Sequence, residues 1–182
     1  MDYKVRLAEQ KDIPSITRIY NQGIEDRAAT LETRPRECSD MNEWLSKRDE
    51  KHKVIVIENQ EGEVYGWASL NTFNSRCCYD GIADISIYIE REKRGKGLGK
   101  ILLSSLITVA KEQGFHKLVL STFKFNKAGQ RLYKSLGFRE VGTYIKQGIL
   151  DGKWVDVMIM ERLLHENPNP PMVTCCGQHV PQ

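Results

Sequence analysis

The chain has 182 residues, 40% of them hydrophobic and 28% charged, with 27 basic and 24 acidic side chains and a net charge of +3. That suffices for one ordinary domain with a real core, of soluble globular composition. So small a net charge excludes a global field for gripping long nucleic acid, and any basic patch must be local.

No run of 18 apolar residues occurs, so no membrane partner is expected. The first residues, MDYKVRLAEQ, alternate apolar and polar and lack the apolar centre of a signal peptide. A cytoplasmic protein is the expectation. The five cysteines are Cys38, the neighbours Cys77 and Cys78, and the neighbours Cys175 and Cys176. Their odd number and the lack of CxxC spacing point to neither a disulfide framework nor a zinc site, so free thiols and no metal are expected.

In chain order, Tyr3, Val5 and Leu7 alternate with Lys4 and Arg6 as a first strand. Asp12 is a candidate N-cap, Pro14 falls in the first turn, and Ile13, Ile16, Ile19 and Tyr20 form a helical stripe. Residues 23–37 carry no clean period and read as a loop or broken helix. Asp40 and Glu43 have capping-box spacing, which predicts a second helix to about Lys51. Val54 to Glu58 and Val64 to Leu70 read as antiparallel strands across the turn NQEGE, and residues 71–81 as a loop. Ala83 to Glu90 is a β-branched strand. Leu98, Ile101, Leu102, Leu106, Val109 and Ala110 define a long amphipathic helix ended by Gly114. Lys117 to Thr122 is a strand, Lys127 to Leu136 a helix closed by Gly137, and 141–145 with 153–162 a closing antiparallel pair. From residue 165 the chain carries four of its six prolines and reads as a disordered tail. The order predicts one α/β domain over residues 1–164, with a mixed, mostly antiparallel central sheet flanked by helices.

The densest chemistry lies in REKRGKGLGK, residues 91–100, between a strand and a helix. Helix N-terminal amides attract anions, and glycines allow a phosphate close approach. GxxxxGK[ST] is absent, and Gly95, Gly97 and Gly99 are spaced GxGxG rather than GxGxxG. On residues alone, a phosphate cradle and a solvated charged turn both stand.

Arg94, Gly97 and Gly99 after SIYI resemble the [Q/R]xxGx[G/A] acetyl-CoA loop of the GNAT N-acetyltransferase superfamily. Downstream, Asn126, Leu132-Tyr133 and Gly137-Phe138 resemble that family's N…LY…GF helix. The resemblance covers residues 3 to about 164. It implies acetyl-CoA as co-substrate, with amides from Gly95 through Lys96, Gly97, Leu98 and Gly99 to Lys100 on the pyrophosphate. Arg94, Lys96 and Lys100 are expected to face the cofactor, and Arg91, Glu92 and Lys93 to be solvated. It places Ile87, Tyr88 and Ile89 along the cofactor arm, Asn126 on the pantetheine, and Tyr133 beside the sulfur as proton donor.

Within the superfamily, IYNQGI (19–24), LETRP (31–35), FNSRCCYDGIADISIYI (73–89) and DGKWVDVMIM (151–160) resemble the phosphinothricin acetyltransferase-like branch. That branch acetylates the α-amine of amino-acid analogues such as phosphinothricin, methionine sulfoximine and arsinothricin. Asp84 stands where the branch has a glutamate regarded as the base, one methylene shorter, which makes a water relay the expectation. Asn74 replaces the first arginine of an FRxR stretch, Arg76 keeps the second, and Asp151 stands where some members have histidine. Leu31, Asn74, Arg76 and Asp156 are thus candidate acceptor contacts. The plainer alternatives are a strand-start aspartate for Asp84, a surface arginine for Arg76, and packing for Trp154. Cys77-Cys78 reads either as a soft-metalloid ligand or as two half-buried apolar positions. The implied partners are a small-molecule amine acceptor and a second copy of the chain as a homodimer. Protein or polyamine acetylation and a non-catalytic CoA sensor are the rival functions; a nucleic-acid partner lacks clustered stacking aromatics.

Overall fold

A computed structural model describes residues 3–165. The proline-rich tail expected from residue 165 onward therefore lies outside the described residues, His165 excepted, as do Cys175, Cys176 and His179. The elements are β1 (Lys4–Leu7), α1 (Ile13–Glu25), α2 (Cys38–Ser46), β2 (Val54–Glu58), β3 (Val64–Thr72), β4 (Ile82–Ile89), α3 (Leu98–Glu112), β5 (Lys117–Phe123), α4 (Lys127–Ser135), β6 (Arg139–Leu150) and β7 (Lys153–Leu163). The seven strands form one sheet in the order β1-β2-β3-β4-β5-β7-β6. Every pairing is antiparallel except β4 with β5. The predicted mixed, mostly antiparallel α/β domain is observed.

Alternation along the strands divides the core. Ile55, Ile57, Ala68, Leu70, Ala83 and Ile85 face α3, where Leu98, Leu102, Leu103 and Leu106 are fully buried. Leu132, Tyr133 and Leu136 of α4 pack on that same cluster. Val54, Val56, Val64 and Trp67 point the other way, onto Ile13, Ile16 and Ile19 of α1 and Met41 of α2. Burial of such side chains, each contributing about 1.5–3 kcal/mol, is the main force closing both layers.

Four local expectations need correction. The α2 capping box is Glu37 with Asp40, so the helix starts three residues before the predicted start and ends at Ser46. Asp12 does begin α1, yet its side chain caps nothing in that helix. It accepts from Arg6 Nη2 at 2.8 Å and from the Glu9 amide at 2.8 Å, because burial requires a cationic partner. The helix α1 continues to Glu25, three residues into the supposed loop. Finally, β6 is more than twice as long as predicted. Its alternation is broken at two register shifts, and at Lys146, with φ +53°, whose amide donates to Asp156 Oδ1 at 2.9 Å.

Candidate active site

The site is made by a divergence of two parallel neighbours. β4 and β5 pair only as Ile82 with Lys117, Ala83 with Leu118 and Asp84 with Val119. Beyond Asp84, residues 85–89 keep β3 as a neighbour and have no partner in β5. A cavity of about 720 Å³ opens along this divergence. It is lined by Asp84 to Ile89, by Arg94, Gly95, Gly97, Gly99 and Lys100, and by Asn126 and Tyr133 of the next helix.

The glycine-rich stretch has the backbone of an anion cradle. Gly95 and Gly97 sit at φ +73° and +86°, and a methyl group on either would meet nothing within 4 Å. Their requirement is conformational rather than steric. Gly97 is the N-cap of the 15-residue α3 and no side chain caps it, which leaves first-turn amides aimed outward. Gly99 is different: a Cβ there would lie 3.1 Å from Leu132, so α3 and α4 approach closely at the mouth of the cleft.

The charges around this loop are distributed differently from the expectation. Arg94 and Lys100 line the cleft; Lys96 is exposed and does not, and the Leu98 side chain is buried in the core. Arg94 donates through Nε to the Ile89 carbonyl at 2.9 Å and pairs through Nη1 with Asp26. Arg91 is not a free solvated residue, because it bonds Asp26 and Glu25 at the end of α1. Lys93 lines the cleft and lies 4.1 Å from the Tyr65 ring centroid.

Asn126 lines the cleft and also caps α4, accepting from the Gly129 amide at 3.0 Å. Tyr133 lies two turns further on. Burial, with the Asp84 charge adding to it, pushes its phenol up to about 12. Asp84 sits where β4 leaves β5, half-buried, and burial pushes its carboxyl up to about 6 against an opposing hydrogen bond from Asn71. Asn71 is its register partner in β3 and was not singled out in the sequence. Arg48 at 3.1 Å and Ser69 at 3.0 Å donate to Asn71 Oδ1, while its Nδ2 donates to Ser86 at 3.1 Å. The amide is thereby fixed with its donor side toward Asp84 and Ser86.

A second cavity, of about 370 Å³, lies on the α1–α2 side of the sheet. Tyr20, Glu32, Arg36, Asp40, Trp44, Trp67, Ser69 and Asn71 line it. Asp84, Ser86 and Tyr88 line both cavities, since alternation turns these three to one face of β4. Leu31, Asn74, Arg76 and Asp156 line neither cavity. Leu31 packs onto Gly148, Asp156 holds the β6 irregularity, and Asn74 and Arg76 lie on an exposed turn closed by a 3.0 Å bond between them. Cys77 is half-buried and Cys78 exposed, and among the described residues no three metal-ligating side chains cluster.

The sheet, the uncapped glycine loop and the cleft at the strand divergence define an acyl-CoA-handling fold of the N-acetyltransferase type. The chain belongs to the acetyltransferase (GNAT) family, whose sequence profile matches residues 16–138. It is 36% identical over 160 residues to YwnH of Bacillus subtilis, provisionally named a phosphinothricin acetyltransferase, covering 88% of this chain and 98% of that one. It is 30% identical to the L-methionine sulfoximine/L-methionine sulfone acetyltransferase of Pseudomonas aeruginosa, covering 94% and 100%. The crystal structure of a phosphinothricin acetyltransferase from Sinorhizobium meliloti in complex with acetyl-CoA superposes with a TM-score of 0.88 at 30% identity, covering 95% of each chain.

Proposed function

We propose that this chain transfers the acetyl group of acetyl-CoA to the α-amine of a small amino-acid-like acceptor by direct attack in a ternary complex. The observation that carries the reading is the sharing of Asp84, Ser86 and Tyr88 by the two cavities. A thioester in the long cleft and an amine in the aromatic cavity would meet over one strand. The α3 N-terminus with Gly95, Gly97, Gly99 and Lys100 fits the pyrophosphate. The names of the relatives support the acceptor class.

An acceptor ammonium must lose a proton before it can attack. Asp84 takes that proton, directly or through one water. A carboxyl near 6 is ionised at neutral pH yet more basic than an exposed aspartate. The nitrogen then bonds to the acetyl carbonyl carbon, and the carbon–sulfur bond breaks. Backbone amides of residues 85–89, unpaired on the β5 side, are the donors for the oxyanion. Tyr133, protonated well past neutral pH, donates to the departing sulfur. Alignment of amine and thioester supplies much of the rate.

In this reading the catalytic unit spans residues 1–164, resides in the cytoplasm and is a homodimer. The edge ribbon supports pairing, since Tyr144, Ile145, Ile149 and Trp154 expose 55–64% of their surfaces. Polyamines are the second acceptor class, favoured by the three carboxylates of the smaller cavity, Glu32, Asp40 and Asp84.

The test is thiol release from acetyl-CoA with methionine sulfone, methionine sulfoximine, phosphinothricin, other amino acids and polyamines. Turnover of amino acids with intersecting initial-velocity lines is expected. Parallel lines would replace direct attack by a covalent acetyl-enzyme. Turnover of polyamines alone would move the acceptor class. Tight CoA binding without any turnover would make the chain a CoA sensor.

A further inference from the structure

The smaller cavity holds an ion pair that the transfer chemistry leaves unused. Arg36 donates through Nε and Nη2 to the two Glu32 carboxylate oxygens at 2.8 and 2.9 Å, a two-bond fork. Both residues line the cavity, and both are held in place. The Arg36 amide donates to Asn21 Oδ1 at 2.8 Å, and Asn21 Nδ2 returns a bond to the Arg36 carbonyl at 2.9 Å. The Glu32 amide donates to Thr30 Oγ1 at 3.1 Å, and the Tyr20 hydroxyl reaches the Glu32 carboxylate. The guanidinium beside it holds the Glu32 carboxyl below its ordinary value, so it stays charged at neutral pH.

The charge inventory of the cavity is lopsided. Its titratable lining consists of Tyr20 from α1, Glu32 and Arg36 from the segment before α2, Asp40 from α2, and Asp84 and Tyr88 from β4. Arg36 is the one cation among these lining residues, and Glu32 already neutralises it. A guanidinium has five N–H donors, of which the fork uses two. Arg36 can therefore accept one further anionic group while staying bridged to Glu32. A second anionic group on the same acceptor would find no further cation among these lining residues and would face the carboxylates of Glu32 and Asp40, which repel it. The remaining walls are the rings of Tyr20, Trp44, Trp67 and Tyr88, the Met41 side chain and the neutral polar groups of Ser69, Asn71 and Ser86, which suit an uncharged side chain.

We propose that Glu32 is a specificity residue that, by occupying Arg36, admits acceptors with one anionic group and an uncharged side chain and turns away acceptors with two. Methionine sulfone represents the first kind; phosphinothricin, with a carboxylate and a phosphinate, represents the second. Exclusion by a misplaced charge is a common route to discrimination between close analogues. The inference rests on the amino-acid N-acetyltransferase reading above and deepens it.

The test compares kcat/KM for the two acceptors on the full chain with saturating acetyl-CoA. The wild type should favour methionine sulfone by about tenfold or more. Glu32→Gln keeps the shape and frees Arg36. It should raise kcat/KM for phosphinothricin roughly fivefold or more, through KM, with little gain for the sulfone. The KM for acetyl-CoA should not move, because Glu32 lies outside the cofactor cleft. Arg36→Gln should raise KM for both acceptors. Calorimetric binding of each acceptor to the wild type with CoA present gives the same comparison without a variant and should show the same order. A ratio unmoved by Glu32→Gln, or a wild type that prefers phosphinothricin in turnover or binding, would overturn the inference while leaving amino-acid acetylation intact. Turnover of neither acceptor would overturn the inference, and turnover of no amino acid in the wider panel would overturn the reading beneath it as well.

Discussion

Under the proposed mechanism, Asp84 is the residue on which activity and stability pull in opposite directions. Its carboxyl is raised from 3.8 to about 6 in the folded protein, chiefly by burial. The folded state therefore holds a proton that the unfolded chain has already released between those pH values. Stability falls as pH rises from about 4 to 6 and stays lowered above, by at most about 3 kcal/mol for a shift of this size. Asp84→Asn should abolish most turnover and yet melt higher than the wild type at pH 8, with the gain gone at pH 4. Calorimetry across pH checks this, and an Asn variant no more stable at pH 8 would mean the carboxylate is better solvated than its burial indicates. Acceptor kcat/KM should fall on the acid side with a midpoint near 6. At Tyr133 the expectation is a pure rate effect. Tyr133→Phe should lower kcat by roughly 10²-fold while leaving the KM for acetyl-CoA unchanged, as loss of a proton donor requires. An unchanged kcat would return Tyr133 to a packing role against Phe138, whose ring centroid is 6.0 Å away. That Asp84 and Tyr133 would line one cleft was legible because each stands in a short stretch of fixed spacing. Asn71 was not, since nothing local to LNTF announces that its amide will face an aspartate across the strand pair.

Among the elements, the loop into α3 shows how glycine does two different jobs two residues apart. Gly97→Ala places a side chain at φ +86° with free space around it. The cost is conformational, about 1–2 kcal/mol, and the reshaped loop should raise the KM for acetyl-CoA. Gly99→Ala meets Leu132 instead and should be milder for the loop, because a helix welcomes alanine. Thermal melts and acetyl-CoA titration of the two variants separate these effects. The strand-to-helix turn at RGKGLG was readable because glycine spacing is a local signal, while its assignment as a cradle came from the family resemblance. The roles of its neighbours were not readable. Arg91 and Arg94 turn to Asp26, 65 and 68 positions earlier, and only the packing of α1 against β4 brings those charges together. The α2 boundary was misread because Glu37 and Asp40 make the capping box in place of Asp40 and Glu43, two acidic pairs with the same spacing. The length of β6 was hidden by Lys146 and its neighbours, where two register shifts erase the period of two.

For the molecule as a whole, the fold class was legible and the smaller cavity was not. Strand and helix order followed from periodicity, and a chain with one parallel pairing flanked by antiparallel ones has few ways to arrange itself. The cavity draws Tyr20 from α1, Arg36 and Glu32 from an aperiodic segment, Trp44 from α2 and Trp67 from β3. No spacing rule links residues on four elements, so sequence reasoning turned instead to the loop at 74–76. The pairing of β4 with β5 has a consequence beyond chemistry. Strands β1 to β4 form one antiparallel block and β5 to β7 another, and the sheet joins them through three residue pairs against seven between β3 and β4. That seam has the fewest register pairs in the sheet, and α3 and α4 pack over it on one side. A ligand lying along the seam touches both blocks and acts as a rivet. Saturation at a hundredfold over Kd should add about 2.7 kcal/mol to global stability. The gain should be concentrated in amides of β4 and β5 that open when the blocks part. Hydrogen exchange with and without CoA tests this: equal slowing in every strand would mean the sheet opens as one body, whereas slowing centred on residues 82–89 and 117–123 would mark two mechanical halves fastened by their own substrate.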